Sequence, residues 1–579
     1  MNALTFEDFT VTFAARNGSS SPVRGVNLHL AKGRTLAIVG ESGSGKTLTG
    51  TSALGLLPDT ARTSGRIFLD DNPIHALSEK ELTSLRGRRI SIIMQEPMAA
   101  LNPIMTVGRQ VEEGVRLRSD AAELDVRQKL ADLFREVGLN DVEKYRSAYP
   151  HEMSGGQLQR VMIAMALARD PEVLIADEPT TALDVTIQRQ ILQLLSNLQR
   201  SRRMAILFVS HDIAVVAQIA HDVAVMCNGE IVEYGTVEDV LRRPRHPYTR
   251  RLLASHPEGR PHKTLLPISP NDRSPAEPKR PENGPAAIPA PARKPRQVLR
   301  TSGLEVVYSK GRINKRSFVA LRGVDVTLNA GETLGIVGES GSGKSSLAKA
   351  ILGIAPVTAG HVELFGKRLD NLPVRERAAL RRRCQIVFQN SASSLNPRLN
   401  VLQLLAEPYL LHAKPPAGTI EKSAGALLEE VGLPREMLNR YPHELSGGQR
   451  QRVNIARALA SDPEMVICDE AVSALDISAQ AQVINLLLTI QRKRRLAMLF
   501  ISHDLQVTQH VSDRICVVKD GAVMEEGPAQ SVFSPPRCAY TRNLVAASPS
   551  LHGPDGPAPG MPAATVRGRI AERNASPRA

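Results

Sequence analysis

The chain has 579 residues, 42% apolar and 23% charged, with a formal net charge of +14. Such a composition describes a globular protein long enough for more than one domain, and no run reaches the roughly 18–20 apolar residues that a membrane span requires. The positive charge does not point to nucleic acid: 257–300 holds nine Lys/Arg against four Asp/Glu and 547–579 holds four against two, no nucleic-acid-reading motif accompanies them, and a solvated basic linker near anionic headgroups is the expectation.

Residues 1–8 carry neither a basic stretch nor an apolar leader, which predicts a cytoplasmic protein. Residues 4–13 alternate as a strand and end on Phe13; Tyr308 ends the matching run 304–308. Either ring can stack on an adenine or sit half-buried in a sheet, and the pattern leaves both open. Next, the apolar run Leu36-Ala37-Ile38-Val39 enters Gly40-Glu41-Ser42-Gly43-Ser44-Gly45-Lys46-Thr47 and then a helix-like segment. The same arrangement recurs 298 positions later as Gly338-Glu339-Ser340-Gly341-Ser342-Gly343-Lys344-Ser345. Strand, glycine loop and helix form the context of a phosphate-binding loop. The glycines let successive backbone N–H groups turn inward on a phosphate chain. The lysine reaches the outer phosphates, and Thr47 or Ser345 can ligate Mg2+. Two copies in matched contexts exclude a chance glycine turn.

Farther along, an apolar strand closes at Gln95 and again at Gln389, a position where open α/β sheets bind ligands. Each is followed by Leu-Asn-Pro (101–103 and 395–397) and by helical stretches, 108–148 and 401–439. Ser154-Gly155-Gly156-Gln157 and Ser446-Gly447-Gly448-Gln449 then open unbroken helical runs. A hydroxyl and unpaired N–H groups at a helix start make an anion site; alone, the tripeptide would be a plain cap. Its recurrence 108 and 102 residues after the two loop lysines excludes that reading. Apolar strands next deliver Asp177-Glu178 and Asp469-Glu470. The first carboxylate suits the metal's ligand shell, and the second suits orienting a water. Histidines His211 and His503 stand 33 residues beyond each glutamate, again at strand ends. The offset between copies falls only from 298 to 292, so this is a duplicated domain.

Residues 257–298 carry eleven prolines and no apolar period, predicting an extended linker, and 547–579 reads as a disordered tail. Domains are therefore expected at 1–256 and 299–546. The five cysteines lack metal-ligand spacing and read as reduced, packed residues.

Taken together, these motifs resemble the ATP-binding cassette (ABC) family over nearly the whole chain outside linker and tail. The narrower resemblance is to its peptide/nickel (oligopeptide/dipeptide) uptake branch, through the Leu-Asn-Pro segments and a post-core His-Pro-Tyr-Thr-Arg at His246–Arg250, reduced to Cys-Ala-Tyr-Thr-Arg at Cys538–Arg542. The resemblance implies an α/β fold of two tandem nucleotide-binding domains. Each has a RecA-like core, an antiparallel β subdomain and a helical signature subdomain. It adds the loops Ala182-Leu183-Asp184 and Ala474-Leu475-Asp476 to the ATP site. Mg2+ would be held by Thr47, Gln95 and Asp177, and by Ser345, Gln389 and Asp469. Glu178 and Glu470 would activate water, and His211 and His503 would hold the γ-phosphate. The halves would pair head-to-tail within one chain and trap two ATP, each between one glycine loop and the other half's Ser-Gly-Gly helix. The implied partners are two membrane permease subunits and an extracytoplasmic solute-binding protein, at the cytoplasmic face of the inner membrane. Met153 stands where the signature usually has leucine, an apolar exchange of little expected effect. Some relatives carry a cysteine-rich segment after the first core; here no cysteine follows Leu265-Leu266-Pro267-Ile268, so no iron–sulfur cluster is expected. A soluble twin cassette acting on ribosomes or DNA, or an exporter ATPase, is the alternative. The proline-rich linker and the short spacing from loop lysine to signature weigh against the first, and the Leu-Asn-Pro segments weigh against the second.

Overall fold

The computed structural model describes residues 1–15, 18–117, 123–181, 183–268, 296–310, 316–389, 391–412, 418–473 and 475–552. The expected linker residues 269–295, the tail from 553, and the alanines 182 and 474 lie outside the described residues. Two compact units form, Met1–Leu253 joined by residues 549–552, and Ala254–Ser548.

In the first unit six strands make one sheet, in the order Glu230–Thr236, Asp222–Cys227, Thr35–Val39, Ala205–Ser210, Val173–Asp177 and Ile90–Ile93. All neighbours are parallel except the Glu230–Thr236 edge. Three central strands are apolar apart from one end residue each (Thr35, Asp177, Ser210) and buried along their whole length, which a parallel sheet covered by helices demands. Register aligns their carboxyl ends: Val39 lies opposite Ser210, and Asp177 opposite Val209. The residues that follow these strands, Gly40, Glu178 and His211, therefore emerge along one edge, with Gln95 just past the neighbouring strand.

A second, antiparallel sheet (Gly18–Ala31, Asn2–Ala15, Ala61–Leu69, Asn72–Pro73) covers one side, sharing a core of Phe6, Phe9, Val26, Leu28 and Leu36. Helices Val107–Arg116, Glu123–Glu136, Val142–Ser147 and Gly155–Leu167 form the third part. The second unit repeats this plan: its six-stranded sheet runs Cys384–Val387, Met465–Asp469, Ala497–Ile501, Thr333–Val337, Arg514–Lys519, Ala522–Pro528. The expected fold class is what the structure has. The three buried cysteines, Cys384, Cys468 and Cys516, lie in these strands, where burial pushes each thiol up to about 12.

Part of the stretch expected to be linker is built into the second unit. His262 Nε2 donates to the Ser512 carbonyl (2.6 Å), Lys263 pairs with Asp513 (2.6 Å), and His510 Nε2 donates to the Thr264 carbonyl (2.9 Å). Leu266 is 3% exposed, and the Asn485 amide brackets its peptide groups, accepting from Leu266 N–H (2.7 Å) and donating to its carbonyl (2.8 Å). Proline content hides this: each proline removes a donor but leaves the intervening N–H and C=O groups able to bond.

Candidate active site

Each glycine loop turns from strand into helix through a residue that only glycine tolerates. Gly45 caps helix Lys46–Ser52 in the left-handed region at φ 103°, and an added Cβ would lie 2.4 Å from the Pro22 carbonyl oxygen. The lysine side chains fold back on their loops. Lys46 Nζ donates to the Gly40 and Glu41 carbonyls (2.9 and 2.8 Å), and Lys344 Nζ to those of Gly338 and Glu339 (2.7 and 2.8 Å). In the first loop the Ser44 hydroxyl is 5% exposed and meets no hydrogen-bond partner among the described residues, an unmet donor of the kind a bound phosphate satisfies.

Beside the loop, Thr47 Oγ1 donates to Asp177 Oδ1 (3.1 Å) and Ser345 Oγ to Asp469 Oδ1 (3.3 Å). Burial pushes the Asp177 carboxyl up to about 6; the Thr47 hydroxyl pulls the other way, and the Glu178 charge adds to the rise. Asp469 is raised for the same first reason. A buried carboxylate and a hydroxyl, all-oxygen donors, fit a hard divalent cation, which would supply positive charge at the transferring phosphates. Gln95 and Gln389, expected at that cation, donate their amide N–H groups to Glu178 and Glu470 instead, at 2.8 and 2.6 Å, leaving the amide oxygen as the atom that would reach it.

Glu178 and Glu470 adopt φ of 46° and 50°, a region that costs a non-glycine residue energy. The turn is held because their N–H groups donate to Val209 and Ile501 across the sheet, both at 2.9 Å. It swings the carboxylate of Glu178 onto three partners: His211 Nδ1 (3.0 Å), Gln95 Nε2 (2.8 Å) and Thr181 Oγ1 (3.0 Å). Glu470 meets His503 Nδ1 (3.4 Å) and Gln389, while Ser473 Oγ donates to the Glu470 carbonyl (3.0 Å). Burial alone would raise Glu178, but the hydrogen bond and charge of His211 outweigh it, and the carboxyl lies below its usual range. Burial likewise opposes charge on His211, yet Glu178 holds its imidazole above the ordinary value. The same directions hold for Glu470 and His503.

The Ser-Gly-Gly residues form a separate constellation. Ser154 accepts from Gln157 N–H (3.4 Å) while Gln157 Oε1 accepts from Ser154 N–H (3.0 Å), and Ser446 with Gln449 repeats this capping box. Gly156 is required by close approach: a Cβ there would stand 2.5 Å from Ile187 Cγ2. Asp184 and Asp476 cap the next helices, accepting from Ile187 and Ala479 N–H, both at 2.9 Å. Phe13 lies opposite Ser20 and Ala61, and Tyr308 opposite Phe318, each half-buried against its own core. Sequence reasoning missed Thr181, three residues past Glu178. Its signal is a hydroxyl residue in the turn that closes a carboxylate-bearing strand.

A phosphate-cradling loop, a hydroxyl–carboxylate pair beside it and an oriented glutamate define a nucleoside triphosphatase, here present twice. The sequence profile of the ABC transporter family matches residues 23–181 and 321–473, and that of the oligopeptide/dipeptide transporter C-terminal region matches 232–284 and 524–569. The chain belongs to the ABC transporter family, as a two-cassette ATP-binding protein that hydrolyses ATP. It is 42% identical over 552 residues to the peptidoglycan transport ATP-binding protein YejF of Agrobacterium fabrum, covering 94% of this chain and 96% of that one. It is 42% identical over 567 residues to the glutathione import ATP-binding protein GsiA of Escherichia coli strain K12, covering 95% and 90%. Among the described residues no helix is long and apolar enough to cross a membrane.

Proposed function

We propose that the chain energises an importer of peptides or related small solutes, docked at the cytoplasmic face of the inner membrane on two permease subunits that a solute-binding protein supplies. The carrying observation is that both catalytic clusters are complete, each with loop lysine, hydroxyl–Asp pair, Glu, Gln and His in the same bonds. The end-to-end likeness to two transport ATP-binding proteins supports the importer. Just past the first Gln-bearing strand, Met94, Met98 and Ile104 are exposed at 46%, 54% and 82%. Exposed apolar side chains close together in sequence suit a short helix from a membrane partner.

In this reading ATP binding draws the Ser-Gly-Gly helix of one half onto the phosphates held by the other, a shift driven by tighter ATP binding to the closed state. Glu178 and Glu470 then take a proton from the attacking water, while His211 and His503 hold the γ-phosphate. Mg2+ would be held by Thr47, Asp177 and Gln95, and by Ser345, Asp469 and Gln389, and would supply positive charge at the transferring phosphates. Both sites hydrolyse. Glu178→Gln and Glu470→Gln should each lower ATP turnover at least tenfold, since general-base removal costs on the order of 10²–10⁴ at one site and alternating closure needs both. Near-normal ATPase activity in either single variant would sink the two-site reading.

A further inference from the structure

The segment after the second cassette reaches back to its glycine loop. Tyr540, 9% exposed, lies in helix Ala539–Ala547, and its hydroxyl accepts the backbone N–H of Glu339 at 3.2 Å. That N–H belongs to the same peptide plane as the Gly338 carbonyl, which accepts from Lys344 Nζ at 2.7 Å. One trans peptide is therefore gripped at both ends, by Tyr540 on its donor side and by the lysine on its acceptor side. Bonds in such a chain polarise one another, so fixing the donor end also strengthens the acceptor that seats the ammonium. The plane has little room to drift: a Cβ on Gly338 would stand 2.1 Å from the Val518 carbonyl oxygen.

Tyr540 is itself anchored. Glu525 accepts from the N–H groups of Arg537 (3.0 Å) and Cys538 (3.1 Å), fastening the entry to the helix. Lys519 Nζ sits 4.9 Å from the Tyr540 ring centroid, and Thr541 is fully buried. The second copy of His-Pro-Tyr-Thr-Arg lacks the His-Pro but keeps these contacts: the tyrosine touches the loop, and Glu525 does the fastening. The first unit has the same scaffold, with Glu233 accepting from Arg245 and His246 N–H at 2.7 and 3.2 Å and Tyr248 2% exposed.

We infer that Tyr540 is a positioning residue for ATP, holding the Gly338–Glu339 peptide so that Lys344 is placed to meet the nucleotide's phosphates. The inference rests on Lys344 being the phosphate-holding lysine, and the test separates the two. Affinity for a fluorescent ATP analogue (methylanthraniloyl-ATP with Mg2+) is measured on the full chain carrying Lys46→Ala, so that the second loop reports alone. In this background Tyr540→Phe should weaken binding about three- to tenfold, the size of the net contribution of one hydrogen bond. In the chain with Lys46 intact, Tyr540→Phe should raise KM for ATP while kcat holds. If Lys344→Ala leaves binding unchanged, the lysine reading itself fails. If Lys344→Ala removes binding and Tyr540→Phe changes it less than twofold, only the positioning role fails. A fall in kcat and melting temperature with KM unmoved would also overturn it, because that is the mark of packing alone.

Discussion

At the residue scale the two neighbouring carboxylates behave oppositely because their partners differ. Glu178 is paired with His211 and stays ionised; Asp177 is buried beside that negative charge with only the Thr47 hydroxyl for support. Its carboxyl rises from 3.8 to about 6. The sign is clear: between about 4 and 6 the folded state binds the proton that the unfolded state has released, so this group's contribution to stability falls as pH rises through that window. Asp177→Asn should therefore raise the melting temperature of the nucleotide-free chain at pH 7.5, in calorimetry, while Mg2+-dependent ATP binding is lost. In the unaltered chain, Mg2+-dependent ATP affinity at that site should weaken as pH drops from 7.5 to 5.5, since a proton competes for the carboxylate; an affinity flat over that range would count against Asp177 as a metal ligand. These residues were legible in sequence because each closes an apolar strand. Their state of charge was not, because it depends on a histidine 33 positions away and on burial.

At the element scale, the least legible stretch was 257–268. Its prolines read as linker, yet it contributes a buried leucine and paired backbone groups to the second unit. The Asn485 amide is the clip, satisfying two otherwise buried peptide groups at once. Asn485→Ala leaves both unmet and should cost about 1–3 kcal/mol for each group, read as a lower midpoint for one transition in denaturant unfolding of the full chain, with the loop-lysine chemistry untouched. No periodicity could have announced this, because the partner helix Ile477–Arg494 lies more than 200 residues on. The sheet strands were the reverse case: runs of four or five consecutive apolar residues, such as Ala205 to Val209, have no stable place but the centre of a covered parallel sheet.

At the scale of the whole molecule, one chain carries two matching clusters of lysine, Asp, Glu, Gln and His, and exposes Met94, Met98 and Ile104 just past the strand that leads to Gln95. If that surface receives a permease helix, Ile104→Glu should reduce co-purification with the cognate membrane subunits from detergent extract and reduce solute uptake, while basal ATP binding by the purified chain stays as it was. Retained co-purification would place the docking surface elsewhere. The order of motifs, the duplication and the family were determined by sequence alone, because P-loop, Gln, Ser-Gly-Gly, Asp-Glu and His are read locally from residue type, spacing and the ends of apolar runs. Tertiary structure decided what those residues do to one another. Parallel register gathers strand ends as far apart in sequence as Val39 and Ser210 onto one edge, a positive φ turns Glu178 onto His211 and Gln95, and a tyrosine from beyond the cassette grips the loop that the lysine serves. Hydrogen bonds and burial join residues by distance in space, and that distance is not written along the chain.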